Sequence, residues 1–437
     1  MDLIIGFVIF IVVMIICILL DISTVIALMV GFVIFITVGR HRNFAKDELL
    51  KFAKDGIKNS IVVAEVLILI GFITAIWRTS GTISFFVYYG VKFISPELFI
   101  LITFLLSAIL AYALGTSFGV AGTVGVIFMS LARSGNVNEI ITAGAVMSGV
   151  FFGDRGSPVS SSAILVATIT KTDLIDNVKR MFQSAVLPIA ACLIIYGILS
   201  YQNPIQNVDD SIINLLKSEF EISLWALVPA VFMVLLPLFR VNVIYALLSS
   251  IISGALISVF VQKESIFSLF NHCLYGYSSD NDILNNILGG GGIISMMEVV
   301  IIVMISSSYS GIFDGTKMLK DLERLLGRLV SKTGKFFTMT AMSFFTTGVF
   351  CNQTIASMMC NDLMKNVYIE NNGTKEELAI DIENSAILIA SLVPWSIACS
   401  VPLSFLGVGF EAIPYSFYLY LVPAFYGLTK NYFRYKI

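Results

Sequence analysis

A charged break inside an apolar span constrains this chain more than any other feature. The run Phe151-Phe152-Gly153-Asp154-Arg155-Gly156-Ser157-Pro158-Val159-Ser160-Ser161-Ser162 separates two apolar stretches, 140–152 and 163–169. Neither reaches the roughly 20 apolar residues that a bilayer crossing needs, but together they do. Glycine and proline end helices, and Pro158 brings no amide donor. Backbone freed at bilayer depth is tolerated only where protein buries it or where it lines a cavity. Asp154 and Arg155 add charges where each costs about 2.5–3.5 kcal/mol on insertion scales. Four serines supply hydroxyl oxygens.

The composition supports a bilayer setting. The chain is 57% hydrophobic and 13% charged, with a mean hydropathy of +0.91. That excludes a soluble globular domain and predicts an all-α polytopic protein, one membrane domain over 1–437. The net charge of −2 resides in loops, and there is no basic, aromatic-interleaved patch, so a nucleic-acid partner is not expected. The apolar run from Leu3 has no basic region before it and a second span follows at once, so it reads as a retained span. Cys17, Cys192, Cys273, Cys351, Cys360 and Cys399 form no C-x-x-C, and His41 and His272 fall in predicted loops without H-E-x-x-H context. No resident metal or cofactor is expected, and no G-x-x-x-x-G-K-[ST] motif points to ATP-driven work.

Read in order, 3–20 and 22–38 are paired spans with a corner at Asp21. The stretch 40–59 carries six basic residues, and Phe44, Leu49, Leu50, Phe52 and Ile57 fit one face of an interfacial helix. The positive-inside rule places it in the cytoplasm. Span 61–77 leads to an external loop, 78–97. The run 98–131, interrupted at Gly115-Thr116-Ser117-Phe118-Gly119, reads as a re-entrant hairpin. The broken span 140–169 and the span 181–199 complete this half. The second half has paired spans 222–239 and 241–261 with Arg240 at the corner, span 293–313, and a basic loop with Lys317, Lys320, Arg324, Arg328, Lys332 and Lys335. A hairpin 336–367 follows, interrupted at Cys351-Asn352-Gln353-Thr354. A span 378–406 is interrupted at Ser391-Leu392-Val393-Pro394-Trp395-Ser396, and span 413–428 is last. Lys430, Arg434 and Lys436 place the C-terminus inside, with the N-terminus.

The halves match element by element with reversed charge asymmetry, the signature of inverted-topology repeats, here 1–201 and 222–430. The count is ten crossings and two hairpins. Monomer and homodimer both stay open.

The interruptions are expected to meet near the midplane, where carbonyls, amides and hydroxyls replace an ion's hydration shell. Thr116, Ser117, Asn352, Gln353 and Thr354 are the hairpin candidates. Asp154, Arg155, Ser157, Ser160 and Ser161 come from the first broken span. Glu383, Asn384, Ser385, Ser391 and Ser396 come from the second. Each has a structural alternative: Asp154 and Arg155 as an intramembrane ion pair, Asp381 and Glu383 as helix-dipole partners, Ser306–Ser308 as back-bonded hydroxyls.

At these residues the sequence resembles NhaC-type Na⁺/H⁺ antiporters. Gly153-Asp154-Arg155-Gly156-Ser157-Pro158-Val159-Ser160 is similar to that family's G-D-K-x-S-P-L-S-D-T-T. The segments 115–119 and 122–125 resemble G-T-S-W-G-T-x-G, and Val393-Pro394-Trp395-Ser396 resembles I-P-W-N. The resemblance implies an inverted-repeat ion-transporter fold, with Na⁺ and H⁺ as the transported ions. The family also includes exchangers of organic acids, such as malate for lactate. Three family carboxylates are neutral here: Ser161 replaces the acid of S-D-T-T, Asn352 that of G-D-Q, and Asn384 that of E-D-S. Fewer titratable acids leave room for a small organic acid or amino acid solute, with Arg155 as its anion partner.

Overall fold

The computed structural model describes residues 2–20, 22–93, 95–205, 210–239, 241–318, 330 and 332–430. Among them every regular element is a helix, apart from an isolated bridge between Tyr277 and Gly290. The protein is an all-α, multi-pass membrane protein. Among the described residues, five helices are long and apolar enough to cross a bilayer alone, six if the bent pair Ala64–Thr79 and Thr82–Gly90 is one span. The broken elements do not qualify singly. Glu139–Gly156, for example, holds Glu139, Asp154 and Arg155 within 18 residues.

Helices Asp2–Leu19 and Thr24–His41 form the opening antiparallel pair, with Gly31 against the Phe10 ring and Gly6 against Ile34 and Val38. An ion pair of 2.9 Å between Asp2 and Arg42 ties their shared end. The corners at Asp21 and Arg240, and the basic residues Lys320, Arg324, Arg328, Arg434 and Lys436, lie outside the described residues.

Two expectations need correction. The stretch 40–59 is not a separate interfacial helix. From Lys46 the chain runs unbroken to Thr79, 34 residues or about 51 Å. The amphipathic face is the basic extension of the span itself. Gly56 does not break it, because it lies against the Ser307 carbonyl and Gly311 of helix Ile293–Thr316, where no side chain fits. The stretch 78–97 is likewise not a loop. The chain bends by 62° and continues as helix Thr82–Phe93. Short helices also occupy stretches read as loops: Asp210–Glu219, Asp282–Leu288, and Ile266–Tyr275 with His272.

The predicted hairpins are present as Phe99–Leu114 turning into Ser117–Ser134, and Lys335–Phe350 turning into Gln353–Glu370. Phe99–Leu114 runs parallel to Glu139–Gly156. A Cβ on Gly149 would meet the Phe104 carbonyl, and one on Gly153 would fall 2.2 Å from both the Ala111 carbonyl carbon and the Tyr112 amide. The two backbones are therefore in direct contact beside Asp154. Helix Leu174–Gln202 runs antiparallel to the hairpin, with Ser200 Oγ accepting from the Ile100 amide at 3.1 Å.

The backbone contact predicts an asymmetric pair of variants. Gly153→Val is expected to lose at least about 3 kcal/mol, because backbone cannot yield as a side chain does. Gly156→Ala, with nothing within 4 Å of the added Cβ, should stay within about 0.5 kcal/mol. Thermal unfolding in detergent, read with size-exclusion profiles, separates the two; equal stability would refute the contact.

Candidate functional site

The two hairpin tips share one geometry. Gly115 adopts φ +66 and Cys351 φ +54, each followed by an extended N-cap residue, Thr116 or Asn352. Thr116 Oγ1 accepts from the Gly119 amide at 3.2 Å and Asn352 Oδ1 from the Ile355 amide at 3.2 Å. The hydroxyl and the amide oxygen thus satisfy the helix starts that the turns expose. A Cβ on Gly115 would lie 2.6 Å from the Val159 carbonyl carbon, so the first tip presses backbone to backbone on the first break. The second tip meets the second break: the Ile397 amide donates to the Cys351 carbonyl at 2.7 Å, and Trp395 Nε1 to the Gly348 carbonyl at 2.8 Å.

Asp154 sits where these elements converge and is 4% exposed. Ser160 Oγ donates to its Oδ1 at 3.3 Å, and Gln353 Nε2 to its Oδ2 at 3.3 Å. Ser117 faces the same carboxylate. One Asp154 therefore receives groups from both hairpin tips and from its own break. Gln353 Nε2 also donates to the Ile387 carbonyl at 2.9 Å, which links the second broken span to the cluster.

Arg155 does not pair with Asp154. Adjacent helical residues project about 100° apart, and the guanidinium turns the other way. Nη1 donates to Tyr418 Oη at 2.6 Å; Nη2 donates to the Met181 carbonyl at 3.0 Å, to Ser184 Oγ at 2.6 Å and to Asn384 Oδ1. All four acceptors are neutral. Glu383 is fully buried, and among the described residues neither of its carboxyl oxygens has a hydrogen-bond donor. It lies within the electrostatic reach of Arg155 and Asp154. At 1.5 Å per residue, Ser184 lies about 24 Å along the helix from Ser200 and about 4.5 Å inside the start of the apolar run 181–199.

The other named residues divide. Ser157 Oγ donates to the Tyr112 carbonyl at 2.6 Å and fastens the break to the first hairpin. Ser385 and Ser391 donate to Asp381 and Leu388 carbonyls of their own turns, and Ser396 is buried with Oγ unpartnered among the described residues. Ser161 and Thr354 are exposed. Ser306 and Ser308 bond back to the carbonyls of Val303 and Ile305. Tyr418 and Ser184 carry no sequence signal: Ser184 follows Gln183 at the start of an apolar run, and Tyr418 is one of several tyrosines in 415–420. Asp381 was read as a dipole partner, yet it is fully buried and accepts from Tyr368 Oη at 2.5 Å, Tyr426 Oη at 2.7 Å and Lys430 Nζ. Lys430 also meets Glu377 at 2.9 Å.

A helical membrane protein whose hairpin tips and broken helices enclose a buried carboxylate defines a secondary active transporter. Sequence comparison narrows the class. The chain matches the Na⁺/H⁺ antiporter family over residues 2–201 and over 150–428. It is 27% identical over 405 residues to the Na⁺/H⁺ antiporter NhaC of Alkalihalophilus pseudofirmus, covering 91% of this chain and 88% of that one. A malate-2H⁺/Na⁺-lactate antiporter of Bacillus subtilis is 26% identical over 432 residues, with 95% and 91% covered. The arginine/ornithine antiporter ArcD of Halobacterium salinarum is 27% identical over 387 residues, with 84% and 79% covered. The chain belongs to the Na⁺/H⁺ antiporter family.

The Asp381 cluster yields a stability prediction. Lys430→Gln removes the cation beside a buried carboxylate and should destabilise the protein by about 3 kcal/mol. Tyr426→Phe removes one neutral donor and should lose about 1–2 kcal/mol. Unfolding curves in detergent check the order; a Lys430→Gln protein as stable as the parent would remove the cluster's structural role.

Proposed function

We propose that the chain is an Na⁺/H⁺ antiporter of the cell membrane, with Asp154 as the carboxylate for which Na⁺ and H⁺ compete. The observation that carries this reading is the position of Asp154 between both hairpin tips and the first break. Na⁺ would exchange its hydration shell for Asp154, the hydroxyls of Ser117 and Ser160, and carbonyls freed at the breaks. A proton on Asp154 removes the charge that holds the ion, so binding of one favours release of the other. Glu383 is the second titratable group of the site. Thr116 and Asn352 set the tips, and Gln353 and Asn384 bridge the halves.

The matched tip geometry supports inverted repeats over 1–201 and 222–430. Reversed loop charge supports ten crossings, two re-entrant hairpins and both termini in the cytoplasm. A second reading, a Na⁺- or H⁺-coupled exchanger of a small organic acid or amino acid, is favoured by one observation: Arg155 is buried with only neutral acceptors. The printed names of the malate/lactate and arginine/ornithine relatives agree with it.

Proteoliposomes with an internal pH indicator test the proposal. An imposed Na⁺ gradient should move internal pH, and Asp154→Asn should abolish the response while the protein stays folded; undiminished pH-dependent flux in Asp154→Asn would falsify the assignment. Labelled malate and lactate in the same vesicles decide for the second reading if they exchange while Na⁺ alone moves no protons. For topology, cysteines at Lys46 and Asp209 should label only from inside and only from outside, respectively. Labelling of Lys46→Cys from outside would overturn the crossing count.

A further inference from the structure

We infer that a cavity of about 240 Å³, at the opposite end of the first hairpin from Asp154, is a binding site for a small carboxylate anion. Two arginines line it: Arg78, from the end of Lys46–Thr79, and Arg133, from the end of Ser117–Ser134. Arg78 is 4% exposed. Its Nε donates to the Leu288 carbonyl at 2.6 Å and its Nη1 to the Thr74 carbonyl at 2.6 Å. Both acceptors are neutral, and among the described residues no carboxylate forms an ion pair with it. Arg133 adds a like charge close enough to act on Arg78. Arg133 Nε meets Glu139 at 2.7 Å, and that carboxylate has 41% of its side chain exposed. Arg133 Nη2 also donates to the Leu406 carbonyl at 3.2 Å, so the lining has two guanidinium groups, and the half-solvated acid that pairs with one of them lies outside it.

The backbone adds to the positive field. Gly290, Gly291 and Gly292 all have φ between +80 and +108, and they lead directly into Ile293–Thr316. The start of that 24-residue helix lies beside the cavity, with Ser295 in the lining and no side-chain cap at Gly292. Helix starts favour anions. A Cβ on Gly291 would lie 3.1 Å from Arg78 Nη1, so the missing side chain keeps this guanidinium accessible. A buried charge without compensation is expensive, and the guanidinium fork matches the two oxygens of a carboxylate. The volume is below the roughly 300–1,000 Å³ of sites for drug-sized ligands, which fits a compact acid.

This extends the second reading above. Arg133 lies 16 residues beyond Ser117 on one helix, about 24 Å away. A carboxylate held there waits at the mouth, on the outer side in the proposed topology, and touches the same helix that serves Asp154.

Calorimetry on the purified protein in detergent tests the site without transport. L-malate or L-lactate should bind saturably to the parent protein, and Arg133→Gln should weaken that binding by about tenfold or more while the protein stays folded by size-exclusion profile. Arg78→Lys should weaken it similarly; because Arg78 also braces Leu288 and Thr74, Arg133→Gln carries the test if Arg78→Lys does not fold. Asp154→Asn should leave this binding unchanged, so failure of the anion site and failure of the Asp154 assignment are told apart. Absence of saturable binding by either acid, equal affinity in Arg133→Gln, or preference for chloride or phosphate would each overturn the inference.

Discussion

Everything at the candidate site depends on backbone touching backbone. Gly153 lies against Ala111 and Tyr112, and Gly115 lies against Val159 and Ser160, at distances where no side chain fits. These contacts let Glu139–Gly156 and Phe99–Leu114 run side by side and bring the hairpin tip onto the break. Amides and carbonyls that lipid could not satisfy are then buried in protein. Ser157, bonded to the Tyr112 carbonyl, fixes the depth of the tip relative to the break. Asp154 is one helical residue from Gly153, so its carboxylate is placed by packing in which it takes no part.

Arg155 shows how the same region holds a cation. Burying a guanidinium is unfavourable unless its donors are met. Here the acceptors come from three elements: Tyr418 from Phe417–Thr429, Met181 and Ser184 from Leu174–Gln202, and Asn384 from the second broken span. The charge therefore pins the two broken spans together. Since the acceptors are neutral, its field is not cancelled on the spot and extends to Glu383. Asn384, where the resembling motif has an acid, is what keeps that field open.

The breaks and tips were legible in the sequence because glycine, proline and hydroxyl residues interrupt runs that are otherwise apolar. That signal is local, and it marks Asp154, Gln353 and Ser160, which the structure brings into hydrogen-bond contact. Partners that are isolated along the chain were not legible: Tyr418, 263 residues from Arg155, has no motif around it. Two boundaries were misread for physical reasons. The basic face of 46–58 has the same periodicity whether the helix lies in the interface or simply continues out of the bilayer. Arg78 reads as the first residue of a loop, yet the chain only bends beyond it. Cys351 illustrates a different limit. The left-handed tip at φ +54 is sparsely populated for any residue but glycine, and the resembling G-D-Q motif has glycine at that place. The tip keeps its geometry because the Cys351 amide donates to the Thr347 carbonyl at 2.8 Å and its carbonyl accepts from Ile397.

The charge ledger of the site bears on what it can exchange. Asp154 and Glu383 are its carboxylates and Arg155 its cation, so with both acids ionised the cluster carries one net negative charge. A single Na⁺ or a single proton closes that charge. Acids at Asn352 and Asn384, as in the resembling motifs, would raise it to three and call for more than one cation. Neutral groups at these positions lower the charge that cations entering the cluster have to balance. Arg155 offsets one of the two acids, which would otherwise repel each other in a medium that screens them poorly. The same residue that joins the broken spans therefore lowers the charge that a cation at Asp154 has to balance.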